Sequence, residues 1–144
     1  YNNKTWAKGQ SIKVSKNTLT PRHFDTLTLV KLLHTSDVHL GAKFLMLGRN
    51  AEAHREDLKK TFSSIVILFI NGDADFLLVA GDLFDANSVS QEYVNFVIRE
   101  LSKVQREKHV IILPGSHDPL SENSVYRKKE LMKSFSAKFD IYEE

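Results

Sequence analysis

The chain has 144 residues, 42% of them hydrophobic and 26% charged, which is the composition of an ordinary globular domain. It contains no cysteine, which excludes disulfides, thiolate metal sites and cysteine nucleophiles, so any metal must be bound through oxygen and imidazole. The net charge of +2 is too small to indicate nucleic-acid binding by itself. The longest apolar stretch, at 65–70, is too short to cross a bilayer. We therefore expect a cytoplasmic protein without a membrane partner.

The predicted elements begin after a polar N-terminal extension at 1–26. From residue 27 onward, apolar runs typical of strands alternate with helical spacing of apolar residues. Strands are predicted at about 27–36, 76–80, 109–113 and 138–142, and helices at about 52–70, around 94–101 and at 122–134. This order predicts an α/β domain whose parallel-rich sheet is flanked by helices on both faces.

Three short motifs each follow an apolar run, at the point where a predicted strand ends. They are Asp37-Val38-His39, Gly81-Asp82-Leu83-Phe84-Asp85 and Gly115-Ser116-His117-Asp118. The carboxyl ends of parallel strands meet at one edge of a sheet, so we expect these motifs to converge. Carboxylates and imidazoles gathered there can bind a hard divalent cation, as metal-assisted phosphoester hydrolysis requires.

The first two motifs supply candidate metal ligands. Asp37 and His39 are two positions apart, so in an extended segment their side chains point the same way. Asp82 follows a fully apolar strand, where an uncompensated charge is costly. Either a metal or the amides of its own loop would compensate this carboxylate. Asp85 is expected to shape the loop.

The third motif supplies a candidate proton donor. His117 stands next to Asp118 after Pro114-Gly115, and a carboxylate can orient an imidazole and keep it protonated. Such an imidazole can stabilise a phosphoryl oxygen or protonate a leaving group. The alternative is an ion pair within the loop.

These motifs resemble the opening half of the calcineurin-like metallophosphoesterase signature. The resemblance is carried by the segments Leu33-His34-Thr35-Ser36-Asp37-Val38-His39-Leu40-Gly41 and Val79-Ala80-Gly81-Asp82-Leu83-Phe84-Asp85. Within that superfamily the chain is similar to the SbcD-like DNA repair exonucleases, through His39-Leu40-Gly41 and through Arg55-Glu56-Asp57 with Phe62 following. The implied fold is the first half of a metallophosphoesterase β-sandwich with helices on both sides.

The resemblance also implies a cofactor and residue roles. It implies two adjacent divalent metal ions, with manganese expected and iron, zinc or magnesium as alternatives. Asp82 would bridge the two ions, and Asp37 and His39 would bind the first. A metal-bound hydroxide would attack the phosphate. His117 would stabilise the phosphoryl group or assist the leaving group, with Asp118 orienting it.

The chain departs from the family pattern in two respects. Ser116 stands where the family has asparagine, and a hydroxyl is a poorer ligand than an amide carbonyl, so we expect the second metal to bind weakly or through water. The family completes both metal sites with histidines from the second half of its domain, whereas no histidine follows His117 here. We therefore expect 27–144 to be a partial domain that lacks its C-terminal half.

Three functional hypotheses remain open at this point. The first is a manganese-dependent DNA repair exonuclease, with DNA as substrate and an SMC-like ATPase as the partner implied by the resemblance. The second is a non-catalytic metal-binding or DNA-end-binding module. The third is a phosphatase acting on another phosphoester. An incomplete sheet would also leave an exposed edge that could pair with a second copy, giving a homodimer.

Overall fold

The computed structural model describes residues 29–135 and 139–141, so the extension predicted at 1–26 lies outside the described residues. The strands are β1 Leu32–Thr35, β2 Phe76–Ala80, β3 His109–Leu113 and β4 Phe139–Ile141. The α-helices are α1 Ala51–Asn71, α2 Gln91–Leu101 and α3 Lys129–Phe135. Two 3₁₀ helices, Leu45–Asn50 and Val125–Arg127, precede α1 and α3.

The strands form one parallel sheet in the order β1-β2-β3-β4. In its register Leu33 lies beside Leu77, Leu77 beside Val110, and Val110 beside Phe139. The predicted α/β class and the parallel sheet are confirmed. Each crossover advances in the same direction across the sheet, and right-handed crossovers of that kind place their helices on one face. The described helices pack on a sheet face whose buried residues share one core cluster with them.

The core lies between that face and the helices. Leu77 and Val79 of β2 and Val110 and Ile112 of β3 are buried, and the residues between them are only partly buried or exposed. The buried strand residues form one cluster with side chains from all three helices, which include Phe62, Val66, Phe69, Val94, Val97, Leu101 and Leu131. On the opposite face, Leu32 remains 54% exposed. Burial of the helix-facing side therefore fixes the strand positions and, with them, the loops at their carboxyl ends.

Two predicted boundaries differ from the structure. The first strand was expected at 27–36, yet Leu29 and Val30 are exposed outside β1. The helix expected at 122–134 is divided, because Lys128 adopts an extended conformation (φ −63°, ψ 132°) between the second 3₁₀ helix and α3. The Ser124 hydroxyl caps that 3₁₀ turn by accepting a hydrogen bond from the amide of Tyr126.

The longest helix, α1, has 21 residues, and none of the described helices combines the length and apolar character needed to cross a membrane.

The C-terminus of α1 is capped by Lys108, whose ammonium donates to the carbonyls of Phe69 (2.6 Å) and Gly72 (2.7 Å). The same ammonium lies 4.9 Å from the Phe69 ring centroid. A cation at a helix C-terminus complements the helix dipole.

We expect Lys108→Met to lower the free energy of unfolding by about 1 kcal/mol, because it leaves these carbonyls without their cation. Urea unfolding measures this change. The matched control is Lys60→Met, since Lys60 is exposed and pairs with Asp57 one turn away on the same helix. An equal loss in both variants would contradict the capping role.

Candidate metal centre

Backbone hydrogen bonds continue past the strand ends and hold the three motif loops together. The amides of Asp37 and His39 donate to the carbonyls of Gly81 (3.2 Å) and Asp82 (2.9 Å). The amide of Gly81 in turn donates to the carbonyl of Leu113 at 3.1 Å. The loops that follow β1, β2 and β3 are therefore tied side by side at one edge of the sheet.

One residue from each motif meets at this edge. Ligand-capable atoms of His39, Asp82 and His117 all lie within 4.8 Å of one another. The two imidazole rings meet edge to face with centroids 4.7 Å apart. His39 and Asp82 are half-buried and His117 is exposed. Two imidazoles and one carboxylate form a donor set that suits manganese, iron or zinc.

His39 gives an independent indication that a cation fits here. Its Nδ1 atom is buried and has no hydrogen-bond partner among the described residues. The nearest carboxylate oxygen, Oδ1 of Asp85, lies 3.5 Å away, which is too long for a good hydrogen bond. An unsatisfied buried polar atom in a native structure calls for an explanation such as a bound ion. The residues therefore fit a divalent cation.

Asp82 is the residue that joins the second and third loops. Its Oδ1 accepts a hydrogen bond from the amide of His117 at 2.7 Å, and its Oδ2 accepts one from the Ser116 hydroxyl at 3.3 Å. Gly115 permits this approach, because a Cβ added there would lie 2.7 Å from Cγ of Asp82 and closer still to its amide nitrogen. Ser116 thus contacts a ligand candidate, and its own role as a ligand stays a prediction.

The backbone at the candidate ligands is strained. Asp37 (φ 54°), His39 (φ 50°) and Asp82 (φ 52°) all adopt the left-handed conformation, which is uncommon for residues other than glycine. Residues held in such conformations cost about 1–3 kcal/mol each and cluster at functional sites. Among the described residues, three of the four non-glycine residues with positive φ are therefore motif positions; the fourth is Phe44, just before the first 3₁₀ helix.

Because of this conformation, the prediction that Asp37 and His39 lie in an extended segment is wrong. β1 ends at Thr35, and beyond it the positive φ angles remove the alternation that would place both side chains on one face. His39 is half-buried in the group of three, whereas Asp37 is exposed and lies outside that group. The role of Asp37 as a ligand of the first metal stays a prediction.

Asp118 is also placed differently from the prediction. It is completely buried, and it accepts hydrogen bonds from the amides of Phe84 (2.9 Å) and Gly115 (2.7 Å) and from the Tyr126 hydroxyl (2.5 Å). Side chains of consecutive residues in a loop diverge, so His117 stays at the surface while Asp118 points inward. The predicted contact between the His117 imidazole and Asp118 is therefore wrong. The Asp118 carboxylate instead accepts hydrogen bonds from these three donors in the protein interior.

The backbone carbonyl of Asp85 contacts the His117 ring instead, at 3.2 Å from Nδ1. A carbonyl oxygen can only accept, so Nδ1 carries the hydrogen and Nε2 is the atom left for a ligand or substrate. Asp85 therefore does more than shape its loop, since it lies beside both histidines. The position of Asp85 in the second motif was a partial sequence signal for its place beside the two histidines.

Tyr126 belongs to none of the three motifs, so the sequence did not identify it as a residue of the site. Burial raises the pKa of its phenol, and the negative charge of Asp118 raises it further. The phenol therefore stays protonated at neutral pH and serves as a permanent donor to the carboxylate.

Comparison with known proteins agrees with this geometry. The profile of the calcineurin-like phosphoesterase family matches residues 30–143. The DNA double-strand break repair protein Mre11 of Sulfurisphaera tokodaii is 30% identical over 107 residues, which cover 73% of this chain and 27% of that protein. The Mre11 protein of Saccharolobus solfataricus is 33% identical over 94 residues, covering 62% and 23%. The SbcD component of the nuclease SbcCD of Escherichia coli is 32% identical over 95 residues, covering 64% and 22%.

The chain thus spans about a quarter of the length of these relatives. The family match, by contrast, covers most of the chain and includes all three motifs. Family members carry divalent metals, as the His39, Asp82 and His117 group allows. The chain belongs to the calcineurin-like phosphoesterase family.

Proposed function

We propose that this chain is the N-terminal part of the catalytic domain of a metal-dependent DNA repair exonuclease. The observation that carries the proposal is the meeting of His39, Asp82 and His117 from three separate loops within 4.8 Å. The names of its relatives, a double-strand break repair protein and a component of a nuclease, favour DNA among the phosphoesters that the family could hydrolyse. An SMC-like ATPase is the partner we propose for the whole protein.

The proposed metal centre takes two ions, with manganese expected. His39 and Asp82 would hold them, with Asp82 between the two, and Asp37 and Ser116 would complete the positions that this part of the domain supplies. Bound ions would supply a nucleophile from water and neutralise the developing charge on the phosphate.

The protein's own contribution to the chemistry lies at His117. Its Nδ1 hydrogen is held by the carbonyl of Asp85 at 3.2 Å, which fixes the ring and leaves Nε2 facing away from that contact. A proton on Nε2 would stabilise a phosphoryl oxygen and then pass to the leaving oxygen. Exposure of His117 leaves the ring accessible to a large substrate.

A second function is favoured by two specific observations. The carboxylate of Asp37 lies outside the ligand group, and Ser116 occupies the position of the family asparagine. A centre weakened at both positions would bind metal or DNA ends without hydrolysing them. A phosphatase acting on a smaller phosphoester is the third outcome that an assay must separate.

The test uses the protein at the full length encoded by its gene, with Mn²⁺ added or removed by chelation. Linear duplex DNA, covalently closed circular DNA and p-nitrophenyl phosphate are offered as substrates. We expect Mn²⁺-dependent degradation of linear DNA alone, and a loss of about a hundredfold in kcat for His117→Gln. His54→Gln is the matched control, because His54 is exposed on α1 and its ring packs at a tilt against Phe44, outside the ligand group.

Two other results would each select another function. Mn²⁺ binding without hydrolysis of any substrate would establish the non-catalytic module. Hydrolysis of p-nitrophenyl phosphate with intact linear DNA would establish a phosphatase. Full activity of His117→Gln would remove the imidazole from the mechanism.

A further inference from the structure

We propose that Tyr126 and Asp118 form a buried positioning pair that fixes the geometry of the metal ligands from behind. The inference rests on the proposed function, because it concerns ligands of the same centre. Neither residue would touch metal or substrate. Their effect would pass through the backbone of the two loops that carry Asp82 and His117.

The three donors to Asp118 come from three different segments. Phe84 belongs to the loop after β2, Gly115 to the loop after β3, and Tyr126 to the second 3₁₀ helix. One carboxylate therefore joins segments from separate parts of the fold. Few arrangements satisfy all three donors at once, so the carboxylate fixes the relative position of the loops.

The anchored amides lie close in the chain to the proposed ligand Asp82 and the proposed proton donor His117. The amide of Phe84 is two residues beyond Asp82, and that of Gly115 is two residues before His117. Asp82 is held in a left-handed conformation (φ 52°), which persists only where the surrounding contacts enforce it. Release of either amide would let its loop relax and would move Asp82 and His117 apart.

Asn87 provides a further tie between the same segments. Its side chain donates to the carbonyl of Pro119 and accepts from the amide of Val125, both at 2.9 Å. The rings of Phe84 and Tyr126 also pack with centroids 5.9 Å apart. The second 3₁₀ helix therefore packs against the loop after β2. This packing brings the Tyr126 hydroxyl within hydrogen-bond distance of the Asp118 carboxylate.

The energetics of burial also favour a positioning role. A buried charge costs folding free energy unless it is fully hydrogen-bonded, and well-packed apolar residues often serve stability equally well. A hydrogen-bonded polar network directly behind a ligand group is instead the arrangement by which outer residues orient the ligands that bind a metal. The network therefore acts on geometry more than on stability.

Tyr126→Phe removes one hydroxyl and keeps the ring. We expect it to raise the Kd for Mn²⁺ about tenfold, as loss of an outer partner typically does. In the metal-free protein we expect hydrogen exchange at the amides of Phe84, Gly115 and His117 to become about tenfold faster, with the amides of α1 unchanged. Tyr93→Phe is the matched control, because Tyr93 is half-buried on α2 beside Lys59.

Asp118→Asn is the second variant, since asparagine keeps the size and loses one acceptor. We expect the same pattern with a larger rise in Kd, and no change for Asp57→Asn on the exposed side of α1. A lower unfolding midpoint with unchanged Kd and unchanged exchange at the three amides would overturn the inference. If the wild-type protein does not bind Mn²⁺, the proposed metal centre is wrong. The hydrogen-exchange measurement on the metal-free protein then tests the positioning pair by itself.

Discussion

Asp82→Asn is expected to raise the Kd for Mn²⁺ about a thousandfold. The carboxylate lies in the ligand group with His39 and His117, and under the proposed function it serves two ions. Removal of its charge forfeits several kcal/mol of metal interaction, and about 4 kcal/mol corresponds to that change in Kd. Asparagine keeps an oxygen that can accept from the amide of His117, so the loop retains its 2.7 Å contact. Calorimetric titration with MnCl₂ measures the effect.

Asp37→Asn is the informative comparison for this prediction. Asp37 has a similar left-handed backbone (φ 54°) but lies outside the ligand group, so its loss should weaken binding less. Asp57→Asn, on the exposed side of α1, should leave the Kd unchanged. Equal losses for Asp82 and Asp37 would contradict the bridging role of Asp82.

Gly115→Ala is expected to lower the free energy of unfolding by about 2–3 kcal/mol, as overpacking a close contact does, and to abolish Mn²⁺ binding. The added Cβ would lie 2.7 Å from Cγ of Asp82 and would collide with its amide nitrogen. Backbone cannot rotate away as a flexible side chain can, so the whole loop after β2 must move. Urea unfolding and calorimetric titration on the same variant measure both effects.

The control for this change is Gly48→Ala in the first 3₁₀ helix. Its Cβ would meet nothing within 4 Å, so the only cost is backbone strain at a conformation (φ +50°, ψ −120°) that alanine rarely adopts. We therefore expect a loss of about 2–3 kcal/mol in the free energy of unfolding from strain alone, with Mn²⁺ affinity retained. Retention of full affinity by Gly115→Ala would show that the close approach to Asp82 does not govern the site.

The sheet could be predicted because its signal is local. The bounds of β2 and β3 match the expectation at 76–80 and 109–113, since each is an apolar run bounded by turn residues. The convergence of the motifs followed from the same reasoning, because parallel topology alone decides where the strand ends meet. His39, Asp82 and His117 accordingly lie together.

The details of the site could not be predicted, because distant residues impose them. Asp37 and His39 are left-handed because their amides bond to carbonyls of the loop after β2, and nothing in their own sequence signals this. The burial of Asp118 depends on Tyr126, eight residues away. Adjacency to His117 in sequence suggested a contact that the divergence of neighbouring side chains prevents.

The left-handed candidate ligands make the site a compromise between folding and chemistry. Glycine adopts φ angles near 50° without penalty. Replacing Asp37 with glycine should therefore raise the free energy of unfolding, even though a candidate side chain is lost. Selection for robustness alone would favour such exchanges. Strain held at Asp37, His39 and Asp82 means instead that contacts elsewhere in the fold shape these loops. Under the proposed function, an incoming ion would meet loops that folding has already formed.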